Sequence, residues 1–147
     1  MNNKQLESLV HKEIPITQAL DIRIEEITDQ SIRVEAPFEA NKNIHNTAFA
    51  GSIYTVATIA GWSLVTSLAM AQGLEGSVVL AKADIKYIKP INGDIVAKCS
   101  IKDTDSIDTF ASSFRRKKRA RLSLAVEVVE DGVIKALLNA NFALVGN

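Results

Sequence analysis

The 147-residue chain has one cysteine, three prolines and few aromatics, only 5% of its residues. The lone thiol, Cys99, excludes an internal disulfide and any cysteine-built zinc cluster. Net charge is also missing: Lys plus Arg and Asp plus Glu both number 17. That excludes a globally basic nucleic-acid binder but leaves room for a local patch. No secretory signal is readable at Met1-Asn2-Asn3-Lys4, so a reducing cytoplasm is the expected location. What is present, 47% hydrophobic and 23% charged residues, is the composition of a globular protein. A single domain over 1–147 can bury roughly 70% of its unfolded surface and needs no metal or disulfide staple.

The most informative absence is local. From Asn46 to Leu74, 29 residues pass without a charged side chain. A membrane span needs about 20 apolar residues. Here Ser52, Thr55, Thr58, Ser63, Thr66, Ser67 and Gln72 interrupt the run, and no Lys or Arg cluster flanks it closely. The pattern predicts instead a long helix, roughly 48–72, apolar or small on every side and buried all round in a soluble core.

Around it the chain reads as strands. Ile22, Ile24 and Ile27, then Ile32, Val34 and Ala36, flank a turn at Thr28-Asp29-Gln30-Ser31. After the helix, Ala81, Ala83, Ile85 and Tyr87 alternate with Lys82, Asp84, Lys86 and Ile88, period two with one buried face. Asn92-Gly93 is a hairpin signal, leading to a strand of Ile95, Ala97, Cys99 and Ile101. Leu122, Leu124, Val126 and Val128 mark another, and a turn at Glu130-Asp131-Gly132 leads to a last strand over about 133–145. A short amphipathic helix at 3–13, stopped by Pro15, makes residues 1–14 an N-terminal extension. The expected fold class is therefore α+β: two strands, one long helix, then four strands in hairpins, the sheet curving around the helix. One sheet cannot cover such a helix on all sides, so a homodimer is expected, or a dimer of dimers built from it.

Two stretches resemble a known family. One is Asn43-Ile-His45-Asn-Thr47-Ala-Phe49-Ala50-Gly51-Ser52, running into Gly61-Trp62; the other is Asp84-Ile-Lys-Tyr87-Ile-Lys-Pro90-Ile-Asn-Gly93-Asp94. Together they resemble the bacterial thioesterase family of the YiiD C-terminal type, elsewhere fused to a GNAT acetyltransferase. The resemblance implies a hotdog fold and hydrolysis of an acyl-CoA or acyl-carrier-protein thioester. Coenzyme A would then be part of the substrate, with no separate cofactor and no metal.

The resemblance also points to a site. Unpaired N–H groups at a helix N-terminus favour a developing oxyanion. Gly51 matches the glycine that does this in related hotdog enzymes, where a His-Gly-Gly run stands in place of Phe49-Ala50-Gly51. Asn43 matches the asparagine that orients water or carbonyl. Thr58 occupies the place of their helix carboxylate, seven residues after Gly51. That spacing is about 20° short of two turns, so Thr58 shares the face of Gly51 roughly 10 Å further along. A threonine hydroxyl hydrogen-bonds but is no general base at neutral pH. Tyr54, nearby, is a further donor. His45 reads as an ordinary surface residue, and neither Ser52 nor Ser63 has the His–acid pairing of a nucleophile. Asp84 across a dimer is the alternative source of an acid.

The remaining feature is Arg115-Arg116-Lys117-Lys118-Arg119-Ala120-Arg121, six positive charges in seven residues, read as the start of a strand. A solvated hairpin is one reading. A clamp for the phosphates of coenzyme A, or for the acidic surface of a carrier protein, is the other, with Arg115, Arg116, Lys117 and Lys118 as its core and Lys86 and Lys89 assisting. Nucleic acid is disfavoured because Phe114 is the only aromatic nearby. Three functions follow: thioester hydrolase, non-catalytic acyl-CoA or carrier-protein binding module, or an interaction domain whose basic run meets nucleic acid or an anionic membrane.

Overall fold

A computed structural model describes residues 1–147. The first helix, α1 (Asn3–Glu13), is capped reciprocally: Asn2 accepts from the Gln5 N–H and Gln5 from the Asn2 N–H. It buries Leu6 and Val10, and Pro15 opens the short α2 (Ile16–Ala19). β1 (Arg23–Ile27) and β2 (Ser31–Ala36) form the expected hairpin, its turn held by Thr28, whose hydroxyl accepts from the Ser31 N–H at 3.0 Å. Then come α3 (Phe38–Asn41), α4 (Ala50–Ala71), β3 (Gly76–Tyr87), β4 (Ile95–Ser100), α5 (Thr104–Lys117), β5 (Arg119–Glu130) and β6 (Val133–Gly146).

All six strands form one antiparallel sheet in the order β1-β2-β4-β5-β6-β3. Its inner face, exemplified by Ala120, Leu122, Leu124, Val126 and Val128 of β5, packs on α4. α4 is long and apolar enough to cross a membrane, but 67% of its apolar window is buried inside the protein. It is the core of the domain. Gly61 lets the sheet approach: a Cβ there would lie 2.5 Å from the ring of the fully buried Phe142.

Three expectations are corrected. First, α4 is not buried all round. Ala50 and Gly51 are exposed, and Tyr54, Thr55, Thr58, Trp62 and Thr66 form a half-covered stripe. The sheet has no strand left to cover that side.

Second, the strands after α4 are not a run of hairpins. β3 lies at the far edge beside β6, whereas β4 lies between β2 and β5, so Pro90–Asp94 is a crossover. Its polar groups are used to tie it down: Asp94 accepts from the Phe38 N–H at 2.8 Å, and Glu130 accepts from the Asn92 N–H. Only Asp131-Gly132, both at positive φ, makes a tight hairpin, joining β5 to β6.

Third, the basic run does not begin a strand. Arg115, Arg116 and Lys117 end α5, Lys118 is its left-handed cap at φ 59°, and only Arg119 and Arg121 lie on β5. Asp103 caps the start of α5, and Ile107, Phe110, Ala111 and Phe114 supply its buried stripe. Cations in the last turn suit the helix dipole.

The two sheet edges differ. At β1 the Glu7 carboxylate accepts from the Ile24 N–H at 2.8 Å, and α1 covers the strand. β3 pairs only with β6, and its other edge is open along the strand.

Candidate functional site

The segment before α4 is a closed loop organised by one side chain. The Asn43 carboxamide oxygen accepts from the His45 N–H (2.8 Å) and the Thr47 N–H (3.2 Å), while its amide donates to the Thr47 hydroxyl at 2.9 Å. Asn46 takes the left-handed conformation at φ 61°, which an asparagine tolerates. The Ala48 N–H donates to the Ile91 carbonyl at 2.8 Å, and Phe49 to Asn41 at 2.7 Å. These bonds fix where α4 begins.

No side chain caps that beginning. The N–H groups of Ala50, Gly51 and Ser52 donate to no protein acceptor, as the first turn of a helix requires unless something binds there. Gly51 is exposed, and a Cβ on it would lie 2.5 Å from Cε2 of the half-exposed Phe49 ring. A side chain at this position would collide with the ring or turn it aside; glycine leaves the N–H open.

Two tyrosines frame the opening, the only two in the chain. The Tyr87 hydroxyl donates to the Ala50 carbonyl at 2.9 Å. Its phenol is raised above the ordinary tyrosine value, first by burial and then by the charge of Tyr54 nearby, so it stays a donor. Thr55 turns its hydroxyl back to the helix, onto the Gly51 carbonyl at 2.8 Å. The Thr58 hydroxyl is shielded and has no hydrogen-bond partner, as are those of Ser63 and Thr66.

Gly51, Tyr54 and Thr58 thus share one side of α4, and Asn43 shapes the loop that feeds it, its amide already engaged. Lys86 and Asp84 do not join them. Ala83 and Ile85 pack against the core, so the intervening Asp84 and Lys86 stand on the outer face of β3. The basic run lies at the other end of α4, where Arg115 donates to the Gln72 carbonyl at 3.0 Å. Gln72 is 21 residues beyond Gly51, about 30 Å along the helix. Phe49 and Tyr87 are the contributors the sequence reading missed. Their signal was adjacency to Gly51 for one, and for the other nothing short of the strand–helix contact. Neither the site nor the rest of the chain holds a group of three or more His, Cys, Asp or Glu side chains suited to a metal ion.

With this geometry defined, comparison with known proteins is decisive on family. The family described as "Putative thioesterase (yiiD_Cterm)" matches residues 3–145. The chain belongs to this family. A "putative thioesterase" of Shewanella oneidensis shares 31% identity over 97% of this chain and 96% of that one, with a TM-score of 0.88. A protein of unknown function from Chlorobaculum tepidum TLS shares 28% identity over 99% and 94%, with a TM-score of 0.94. The curved six-stranded sheet around α4 is accordingly the hotdog fold of a thioesterase family member, and the open start of α4 is its candidate site.

Proposed function

We propose that the chain hydrolyses acyl-CoA or acyl-carrier-protein thioesters as a homodimer in the cytoplasm. The observation carrying this reading is the unpaired Gly51 N–H at the exposed start of α4, on one face with the unpartnered Thr58 hydroxyl. The thioester carbonyl accepts from Gly51, and the helix dipole favours the oxyanion as water adds to the carbonyl carbon. Collapse expels the thiolate, whose low basicity makes a general acid dispensable. The water's proton leaves to solvent, with Thr58 or substrate polar groups orienting the nucleophile. Asn43 acts by holding the loop. Tyr54 donates to the bound thioester, and the basic corner binds phosphate. No cofactor or metal enters the scheme. The open β3 edge and the half-covered stripe of α4 are the surfaces a second copy would cover.

The absence of a carboxylate from α4 favours a second reading, a non-catalytic acyl-CoA or carrier-protein binding module. One experiment separates them. Purified protein is assayed against acyl-CoA esters of graded chain length, with melting temperatures recorded alongside. Turnover that Gly51→Val abolishes supports the hydrolase. Thermal stabilisation by acyl-CoA without turnover supports the module. If neither coenzyme A esters nor acyl carrier protein shifts the melting temperature or is consumed, both readings fail.

A further inference from the structure

The Ala50–Gly51 peptide unit carries the open N–H of the candidate site and, on its other side, an extra hydrogen bond. Its N–H, on Gly51, donates to no protein acceptor. Its carbonyl, on Ala50, lies in the same plane and points the opposite way, because the peptide bond is trans. The helix ladder already offers that carbonyl the N–H of Tyr54. The Tyr87 hydroxyl adds a second bond at 2.9 Å, from 37 residues away in the chain.

As a structural tie this bond is worth little. It is exposed, and Tyr87 itself is 47% exposed, so water takes the place of the phenol when the phenol is removed. The end of β3 is anchored without it: the Ile88 and Lys89 N–H groups both donate to the Lys135 carbonyl, at 2.8 and 3.1 Å. The segment that follows is tied to the loop before α4 through the Ile91 carbonyl and the Ala48 N–H. Nothing in that framework selects the Ala50 carbonyl, yet one of the two tyrosines in the chain is aimed at it.

A hydrogen bond accepted by an amide oxygen draws electron density from the nitrogen and makes the N–H of the same unit a stronger donor. Such chains gain about 10–30% per bond. The bond also fixes the plane of the unit, and so the direction of its N–H, on which oxyanion stabilisation depends. Resting on the thioester reading of Gly51, we propose that Tyr87 is a positioning residue: its hydroxyl, bonded to the Ala50 carbonyl, orients and polarises the Gly51 N–H toward the developing oxyanion. Tyr87 acts through the peptide unit and not on the substrate. One oxyanion donor is worth about 100–1,000-fold in kcat, and strengthening it by about 10–30% multiplies the rate by about 2–8.

The next peptide unit supplies a comparison. The Gly51 carbonyl accepts from the Thr55 hydroxyl at 2.8 Å, the common return of a helical threonine to the preceding turn. The N–H of that unit belongs to Ser52, one position further into α4. Thr55 therefore polarises an amide other than the one that takes the thioester carbonyl.

Three chains are compared with wild type on octanoyl-CoA: Tyr87→Phe, Thr55→Val, and a chain with 3-fluorotyrosine placed site-specifically at position 87. Fluorine makes the phenol a stronger donor with the same reach, and assay at about pH 6 keeps it protonated. Tyr87→Phe should lower kcat by about 2–8-fold, with KM within about twofold of wild type. Thr55→Val should keep kcat within about twofold. The kcat values should rise in the order phenylalanine, tyrosine, fluorotyrosine at position 87, an order that a merely structural tie would not produce. Unchanged kcat in Tyr87→Phe overturns the proposal, and so do equal losses in Tyr87→Phe and Thr55→Val. A loss carried by KM marks a direct substrate contact and also overturns it. Melting temperatures check folding. If Tyr87→Phe is unstable, the fluorotyrosine chain decides, and one no faster than wild type overturns the proposal. Wild-type protein that hydrolyses neither octanoyl-CoA nor any other ester of the graded series overturns the thioester reading together with the role of Tyr87. Active wild type with an indifferent Tyr87→Phe overturns the role alone.

Discussion

Thr58→Val replaces a hydroxyl by a methyl of nearly the same shape, at a position where the hydroxyl bonds to nothing. A shielded hydroxyl without a partner costs about 1–3 kcal/mol. Both residues are β-branched, so helix propensity hardly changes. The substitution should therefore stabilise the protein by about 1 kcal/mol, which in a domain of this size raises the melting temperature by about 2–4 °C. If the hydroxyl serves water or substrate during turnover, its loss removes a neutral hydrogen bond of about 0.5–1.5 kcal/mol, a fall of about 2–10-fold in kcat/KM. Thr66→Val is the control, because the Thr66 hydroxyl is equally unpartnered but lies eight residues further from the helix start. It should stabilise without touching activity. Calorimetry and initial rates on octanoyl-CoA read both variants. A lower melting temperature for Thr58→Val would mean that the hydroxyl is paired in the folded protein. A raised melting temperature with unchanged kcat/KM would remove Thr58 from the chemistry.

Other perturbations follow from single contacts. Gly61→Ala places a Cβ against the buried Phe142 ring, and the overpacking of about 1–3 kcal/mol should outweigh the helix gain of about 1 kcal/mol. Phe142→Leu in the same chain should give a coupling above about 0.5 kcal/mol in urea unfolding, and strict additivity would contradict the contact. Asn43→Asp keeps the oxygen that accepts from His45 and Thr47, whereas Asn43→Ala loses it, so the alanine variant should melt lower. Equal melting temperatures would show that the carboxamide does not hold the loop. Burial, and secondarily the charge of Glu127, pushes the Cys99 thiol up to about 12. An unfolded cysteine ionises near about 8.5, so this contribution to stability is complete below that pH and declines as pH rises toward the folded value. The urea midpoint should fall more steeply between pH 9 and 11 in wild type than in Cys99→Ala, and equal slopes would refute the assignment.

Much of the fold was legible because it rests on periodicity. The uncharged stretch from Asn46 to Leu74 dictates a buried helix, and α4 runs Ala50–Ala71. Alternation in Arg119–Glu130 dictates which face is inward, and Asp131-Gly132 the turn that follows. α5 is also periodic, with a stripe of Ile107, Phe110, Ala111 and Phe114, but the dense charges of its last turn and of the strand that follows obscure that stripe in the sequence. Asn92-Gly93 misled because a dipeptide reports local backbone preference and not which strand lies alongside. The choice between hairpin and crossover is made by burial: β4 fills the inner sheet beside β2, leaving β3 at the edge.

By itself the sequence determined the residue types of the site: a glycine at the head of an uncharged helix, a threonine seven residues on, and a dense basic run. Tertiary structure decided which of them meet. Pleating turns Asp84 and Lys86 outward from β3, the length of α4 separates the basic run from Gly51, and the strand–helix contact brings in Tyr87. Such placements depend on pairing across the sheet between residues far apart in the chain, and no local pattern encodes them.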